Sequence, residues 1–118
     1  MVAGAGGGGI AERWDLPVTV HTISIVQVDF DPAKNARNLH SRGLSFERAA
    51  NFDFGTALIA PDDRVDYGET RYVAIGNLDQ RLHVLCFLET EHGIRVISFR
   101  KANAREVRRY DQATTTDR

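Results

Sequence analysis

The sequence has few of the residues with which small proteins form disulfide bonds or structural metal sites. Its 118 residues include one cysteine, Cys86, and four histidines, which form no H-x-H or H-x-x-x-H pair. A single cysteine excludes an internal disulfide, and no set of donors has zinc-ligand spacing. A chain of this length buries roughly two thirds of its unfolded surface, which is enough for a hydrophobic core. We therefore predict one ordinary domain without a metal, in a reducing compartment.

Long apolar runs and nucleotide-binding loops are missing as well. No segment approaches the roughly 18 apolar residues of a membrane span, and the chain does not start with a basic segment followed by an apolar one. No phosphate-binding loop of the G-x-x-x-x-G-K type is present, and the glycines near the start precede no strand-to-helix turn. We expect a cytoplasmic protein that needs no cofactor and does not contact membranes.

Net charge is also small, because 15 basic side chains face 16 acidic ones, but the two signs are separated along the chain. Five acids and one base lie between Asp53 and Glu69, whereas six bases and one acid lie between Arg95 and Tyr110. This asymmetry favours an anionic partner for the basic segment. The acidic segment is then expected to bind either a basic partner or the basic segment of the same chain.

The first half of the chain predicts an extension, a strand and two helices. Residues 1–22 are predicted to be a flexible extension, since residues 1–9 contain five glycines. A β-branched run at residues 23–30 predicts a strand. Asp31 as N-cap, proline at the first helical position and glycine after the last turn predict a helix at residues 32–42. Ser45 then caps a short second helix that ends near Asn51.

The second half changes to an alternating pattern, which predicts four strands of an antiparallel meander. A longer acidic loop, residues 61–68, follows the first of them. Asn103, with Glu106 three residues later, resembles a capping box and predicts a basic C-terminal helix to about residue 111. The folded domain is thus predicted to cover residues 23–111, and residues 112–118 to be a disordered tail. The four strands are residues 56–60, 71–76, 81–89 and 93–100.

Without a metal or a covalent nucleophile, one chemistry still fits the residues: cleavage of RNA by its own 2′-hydroxyl. The protein has to hold the phosphate, neutralise its growing charge and move a proton, which Arg, Lys, Glu, His or Tyr side chains can do. The segment between Arg95 and Tyr110 contains every one of these types except His. A basic helix is more often simply solvated, so the composition alone does not decide between these interpretations.

Three blocks of the sequence resemble the BrnT toxin family, between about residues 26 and 111. They are DFDPAKNARNLHSRGLSFERAANFDF, ETRYVAIG and RVISFRKANAREVRRY. The resemblance implies an α+β fold of the RelE-like type and a ribonuclease that stops translation. It also implies neutralisation by a BrnA-like antitoxin, whose ribbon-helix-helix part would supply any contact with DNA. Ser41 and Arg42 stand where the family has Lys-His, so any role of those residues is lost or passes to Arg42 and His40.

The resemblance and the charge pattern together predict the site residues. Arg100 and Lys101 match the family's R-K-A motif, and Glu69 and Arg71 match its E-x-R, so these four are predicted to contact the phosphate and transfer protons. Glu69 and Arg71 are equally suited to a structural ion pair. His83 is a reserve, because imidazole titrates near neutral pH. Further RNA contacts are predicted for Arg95, Arg105, Arg108, Arg109, Tyr110, Lys34 and Arg42.

Two functions from different classes remain open at this point. The first is a metal-independent endoribonuclease toxin that cleaves mRNA. The second is a toxin-like binding module that tunes repression together with its antitoxin and has little or no catalytic activity. An RNA substrate belongs to the first function, whereas the antitoxin partner belongs to both.

Overall fold

The computed structural model describes residues 27–62 and 68–115. It is an α+β arrangement in which a five-stranded mixed sheet has the order β1-β5-β4-β3-β2. The predicted strand at 23–30 is seen at residues 27–29, and its earlier part, like the extension at 1–22, lies outside the described residues. The elements in chain order are β1 (Gln27–Asp29), α1 (Pro32–Arg42), a 3₁₀ helix (Phe46–Asn51), β2 (Leu58–Asp62), β3 (Arg71–Leu78), β4 (Arg81–Glu89), β5 (Gly93–Lys101) and α2 (Ala104–Thr115).

The four strands that the alternation predicts do form antiparallel neighbours, but the sheet as a whole is not a simple meander. β2 to β5 are antiparallel neighbours in chain order, but β1 pairs with β5 in parallel and makes the sheet mixed. Gly93 permits this pairing, since a Cβ there would overlap the carbonyl group of Gln27. The β-branched run predicts the strand itself, but no sequence pattern shows that it pairs in parallel with β5, because the two strands are far apart along the chain.

Several element boundaries differ by one to four residues from the predicted ones, and those of β2 and α2 matter most. Pro61 and Asp62 belong to β2 and pair with Tyr72 and Arg71, so the acidic loop begins later than predicted. Residues 63–67 of that loop lie outside the described residues. α2 runs to Thr115, past the predicted end at residue 111, and the last three residues lie outside the described part.

The first two helices begin and end where the sequence predicts, for identifiable reasons. Gly43 has φ +68°, a left-handed conformation that suits glycine, and its N–H donates to the Leu39 carbonyl 2.9 Å away. The Ser45 hydroxyl accepts from the Glu47 N–H at 3.2 Å. The short helix after Ser45 is 3₁₀. Asp31 holds the N-cap position, although its side chain makes no capping hydrogen bond.

The hydrophobic core lies between the 3₁₀ helix and one face of the sheet, called here the front face. Leu85, Phe87 and Phe99 of the front face are fully buried, and Phe46 and Phe52 pack against this cluster. Burial of each large side chain contributes about 1.5–3 kcal/mol. The 3₁₀ helix therefore fixes the position of the loop that follows α1.

The opposite face, called here the back face, is contacted by α2. Ile75, Val84 and Arg100 form one cross-strand row of this face, and Arg100 reaches Glu106 of α2. A β-bulge between Cys86 and Phe87 breaks the alternation. As a result Ile94 and Val96 are buried with Phe99 in the core, whereas Ser98 is exposed. Strict alternation predicts Ser98 on the same face as Ile94 and Val96, and the bulge is why that prediction is wrong.

Candidate functional site

A cavity of about 530 Å³ lies at one end of the sheet, where the β3–β4 turn meets the end of α1 and the last residue of β5. Four of its lining residues are basic and one is acidic, so with a neutral histidine it carries a net charge of about +3. Apolar side chains complete the wall. The lining residues are Arg42, Gly43, Leu44, Arg48, Leu78, Asp79, Arg81, His83 and Lys101.

The local backbone explains why these residues converge. Lys101 lies directly opposite His83 in the β4–β5 ladder, on the front face. The turn before β4 consists of Asp79 and Gln80, whose φ values of +54° and +66° are those of a tight hairpin turn. Arg42 is the last residue of α1 and enters the cavity wall from the other side.

The Asn38 side chain ties α1 to this end of the sheet. Its amide donates to the Leu44 carbonyl at 2.9 Å and to the Phe99 carbonyl at 3.0 Å. Asn35 accepts from the Phe46 N–H at 2.7 Å and fastens the following loop. Two asparagine side chains thus connect α1, the 3₁₀ helix and β5, and they hold the wall that carries Arg42.

The charges of the cavity are only partly compensated within the protein. Arg48 donates to Asp79 with 2.8 Å between Nη2 and Oδ2, and both side chains are well exposed, at 43% and 67%. Arg42, Arg81 and Lys101 are exposed and have no ion pair among the described residues. Three cations therefore face an open cavity, an arrangement that attracts an anion such as a phosphate.

His83 is the titratable group with the least exposure in this cavity, at 5%. Its Nδ1 lies 2.8 Å from the Arg81 carbonyl oxygen, which can only accept, so Nδ1 carries the proton and donates it. Burial lowers the pKa of His83 below its usual 6.5, and the positive charges of Lys101 and Arg81 lower it further. The hydrogen bond to the Arg81 carbonyl and the negative charge of Asp79 raise the pKa, but they do not outweigh these effects. The imidazole is consequently neutral near pH 7.

Of the predicted catalytic residues, Arg100 and Lys101 lie on opposite faces of β5. Arg100 makes two hydrogen bonds of 2.8 Å with the Glu106 carboxylate on the back face. These bonds raise the pKa of Arg100 and lower that of Glu106. Glu106 also accepts from the Asn103 N–H at 2.8 Å, and its own N–H donates to Asn103 at 2.9 Å, which confirms the predicted capping box.

The structure does not bring Glu69 and Arg71 to the cavity. They form an ion pair with 3.2 Å between Arg71 Nε and Glu69 Oε2. Arg71 lies one step beyond the Tyr72–Phe87 pair, at the end of the sheet opposite His83 and Lys101. The two ends are about 16 Å apart along β4, at 3.3 Å per residue. The four predicted catalytic residues therefore do not form one site.

The predicted RNA-contacting residues are spread over several surfaces. Arg42 lines the cavity, whereas Lys34 is exposed elsewhere on α1. Arg95 is exposed near the start of β5, away from the cavity. The Tyr110 hydroxyl donates to the Thr56 carbonyl at 3.0 Å and so anchors α2. On α2, two further bases are exposed and one is half-buried: Arg105, Arg108 and Arg109.

Sequence reasoning missed Arg48, Arg81 and Asp79 as members of a site. The hairpin turn and the glycine after α1 were both predictable, but their meeting across the sheet end was not. Of the three, Arg81 carried the clearest signal, because it starts the strand that also contains His83.

Two features are absent from residues 27–62 and 68–115. In this part of the chain, no helix has the length and apolar character needed to cross a membrane. Within the same ranges, no three His, Cys, Asp or Glu side chains are grouped so that they could hold a metal ion.

Comparison with known protein families gives one result. The family described as the ribonuclease toxin BrnT of type II toxin-antitoxin systems matches residues 30–106 of this chain. This range contains every residue that lines the cavity. No curated protein matches the sequence. Because the family match covers well over half of the chain, the protein belongs to the BrnT family of ribonuclease toxins of type II toxin-antitoxin systems.

Proposed function

We propose that this toxin is an endoribonuclease that cleaves mRNA, stops translation and binds the RNA phosphate in the basic cavity. The observation that carries the proposal is the convergence of Arg42, Arg48, Arg81 and Lys101 on one opening in a chain of a ribonuclease family. Leu44 in the same wall is half-buried and offers an apolar surface for a base or ribose. Guanidinium groups bind phosphate oxygens in pairs of hydrogen bonds, which suits this task.

The reaction that fits these groups is attack of the 2′-hydroxyl on the neighbouring phosphate, without a metal. The cations stabilise the negative charge that develops on the non-bridging oxygens, a form of catalysis that needs positioned charge rather than a covalent nucleophile. Lys101 and Arg42 keep the role that the sequence predicts for them. Arg100 and Arg71 are assigned to their carboxylate partners instead.

The proposal includes the partner that a type II toxin requires. The chain has a protein antitoxin, because membership of a type II system implies one. We propose that this antitoxin is BrnA-like and binds DNA through a ribbon-helix-helix part, so that the toxin meets DNA only within the complex. The mixed sheet with flanking helices is compatible with the RelE-like fold that the sequence resemblance implies.

A second function, that of a binding module with little catalytic activity, is favoured by one observation. Two of the predicted catalytic arginines, Arg100 and Arg71, are ion-paired within the chain. A toxin scaffold that had lost its activity would still bind its antitoxin and tune repression. The two functions predict opposite results in the following experiment.

The test is induced expression in a bacterial host, comparing the wild type with the Arg42→Gln/Lys101→Gln variant. We expect arrested growth and shortened mRNA with the wild type, and normal growth with intact mRNA for the variant. Arg37→Gln removes one exposed charge of α1 outside the cavity and should behave like the wild type. Circular dichroism of the soluble proteins checks folding. Intact mRNA with folded wild-type protein would support the binding module instead.

A further inference from the structure

We infer that His83 is the general base of the cleavage reaction, and that its Nε2 takes the proton of the attacking 2′-hydroxyl. The inference rests on the proposed function and assigns a catalytic residue to the same cavity. It begins from the position of His83 on β4, opposite Lys101 and at the wall shared with Arg42 and Arg81. A nucleotide whose phosphate contacts these cations places its ribose next to the imidazole.

The hydrogen bonding of His83 leaves the required nitrogen available. Nδ1 donates to the Arg81 carbonyl, which fixes the tautomer and leaves the lone pair on Nε2. Within the described residues, Nε2 has no hydrogen-bond partner, and the one buried side-chain polar atom without a partner is Thr90 Oγ1. Nε2 is therefore reached by solvent. His83 is one of the residues that line the cavity, which would give a substrate access to Nε2.

The surroundings keep this nitrogen able to accept a proton near neutral pH. Burial lowers the pKa of His83, and the nearby cations of Lys101 and Arg81 act in the same direction. Asp79 opposes them, and Arg48 of the 3₁₀ helix pairs with Asp79. Arg42 at the end of α1 adds a further positive charge to the cavity. A neutral imidazole is the form that a general base must have before the reaction.

The proposed step balances as follows. Nε2 removes the proton of the 2′-hydroxyl as the 2′-oxygen forms a bond to phosphorus, and the bond between phosphorus and the 5′-oxygen breaks. The leaving 5′-oxygen takes a proton from solvent water, and the proton on Nε2 returns to the hydroxide so formed. The products are a 2′,3′-cyclic phosphate and a 5′-hydroxyl. No oxidant, metal or further reactant takes part.

The other described histidines lack this environment. His40 is exposed on α1 beside Ala36, Arg37 and Ser41, and does not line the cavity. His92 is exposed in the β4–β5 turn, at the far end of the sheet. His92 therefore provides a matched control, because it lies far from the cavity and can be replaced by the same His-to-Asn substitution.

The experiment measures single-turnover cleavage of an RNA oligonucleotide by the full chain, as wild type, His83→Asn and His92→Asn. Asparagine at residue 83 keeps an N–H that can donate to the Arg81 carbonyl but has no basic nitrogen. We expect His83→Asn to be slower by about 100-fold or more, the usual contribution of a general base. His92→Asn should match the wild type. Binding of a 2′-O-methyl oligonucleotide, which cannot be cleaved, should be unchanged in both variants.

The wild type alone supplies a second readout that does not depend on a variant folding. Its cleavage rate should fall with decreasing pH, with the same midpoint as the His83 imidazole titration followed by NMR. That midpoint should lie below 6.5. A rate that does not follow this titration would contradict the inference.

The outcomes separate the inference from the proposed function. Cleavage by His83→Asn within about threefold of the wild type would overturn the role of His83 and leave the proposed function standing. No cleavage by the folded wild type would overturn both. Loss of cleavage in His83→Asn together with loss of binding would also contradict the inference, because it would make His83 a binding residue.

Discussion

Arg100 and Lys101 are neighbours in the sequence, yet they lie in two different regions of the molecule. Arg100 is on the back face and is held by the Glu106 carboxylate, which also caps α2. Lys101 is on the front face, exposed at the edge of the cavity, and has no carboxylate partner among the described residues. One basic side chain stabilises the fold, whereas the other is available to a ligand.

This difference shows why a run of basic residues does not by itself define a site. Successive side chains of a strand point to opposite faces, so an Arg-Lys pair in a strand is divided by the sheet. The number of basic residues between Arg95 and Tyr110 indicates an anionic partner only where these residues are not already paired with carboxylates of the same protein. What separates the two roles is the position of the nearest carboxylate, which depends on the packing of α2.

Apart from the loss expected for His83→Asn, the largest effect is expected on RNA cleavage by purified protein. Lys101→Gln should reduce single-turnover cleavage by about 10- to 100-fold, because it removes one charge-assisted contact to the phosphate. Arg100→Gln should leave cleavage within about threefold of the wild type at a temperature where both proteins are folded. A larger loss for Arg100→Gln than for Lys101→Gln would reverse the assignment of the two residues.

The next effect concerns stability and the same pair of residues. Glu106→Gln and Arg100→Gln should each lower the free energy of unfolding by about 1–2 kcal/mol, since a partly buried bidentate pair is worth more than an exposed one. The double variant should lose less than the sum of the two single losses. Urea unfolding of the four proteins measures this coupling. Additive losses would mean that the two side chains do not interact in solution.

A smaller effect is expected in the salt dependence of RNA binding. Each cation that contacts a single strand contributes about 0.7 to the slope of log affinity against log salt concentration. The three cavity cations without an ion pair among the described residues, Arg42, Arg81 and Lys101, therefore predict a slope of about −2. Arg42→Gln should reduce its magnitude by about 0.7. Arg37→Gln, on the outer surface of the same helix, should not change it. Fluorescence anisotropy with a 2′-O-methyl oligonucleotide gives these slopes, and equal slopes for all three proteins would contradict a role for Arg42.

The smallest effect is on the pH dependence of stability. The pKa of His83 is lower in the folded protein than the unfolded value of 6.5, so the unfolded chain binds the proton more readily. The contribution of His83 to the free energy of unfolding is therefore fully present above pH 6.5 and decreases as the pH falls below that value. The loss is at most about 1.4 kcal/mol for each unit by which the folded and unfolded pKa values differ. His83→Asn should flatten this part of the curve in urea unfolding at pH 5–8. An unchanged curve would show that His83 is not desolvated.

The sequence predicts much of the fold, and the reason is local. Ser45, Gly43 and the pair formed by Asn103 and Glu106 act through backbone groups within a few residues, so their signals can be read without the tertiary structure. The bulge at Cys86 and Phe87 and the parallel pairing of β1 depend on distant partners. At the bulge strict alternation gives the wrong faces, and the added parallel strand makes the whole sheet mixed although its other four strands are antiparallel as predicted.

The site is predicted less completely, for the same physical reason. The sequence predicts Lys101 and Arg42 as site residues and His83 as a reserve, and all three line the cavity. Arg48 and Arg81 join them only because the β3–β4 turn and the end of α1 meet at one end of the sheet. Arg71 is predicted beside them but lies at the other end of the sheet. Its place in a sequence motif does not show which end of the sheet it occupies, and the prediction failed for that reason.

The most direct test of the central claim is an NMR footprint of a 2′-O-methyl RNA oligonucleotide on the full, isotope-labelled chain. Binding in the cavity predicts the largest amide shifts at residues 42–44, 78–83 and 101, with little change near Arg71 and Arg95. The largest shifts near Arg71 and Arg95, with none around His83, would place RNA at the opposite end of the sheet and contradict the account.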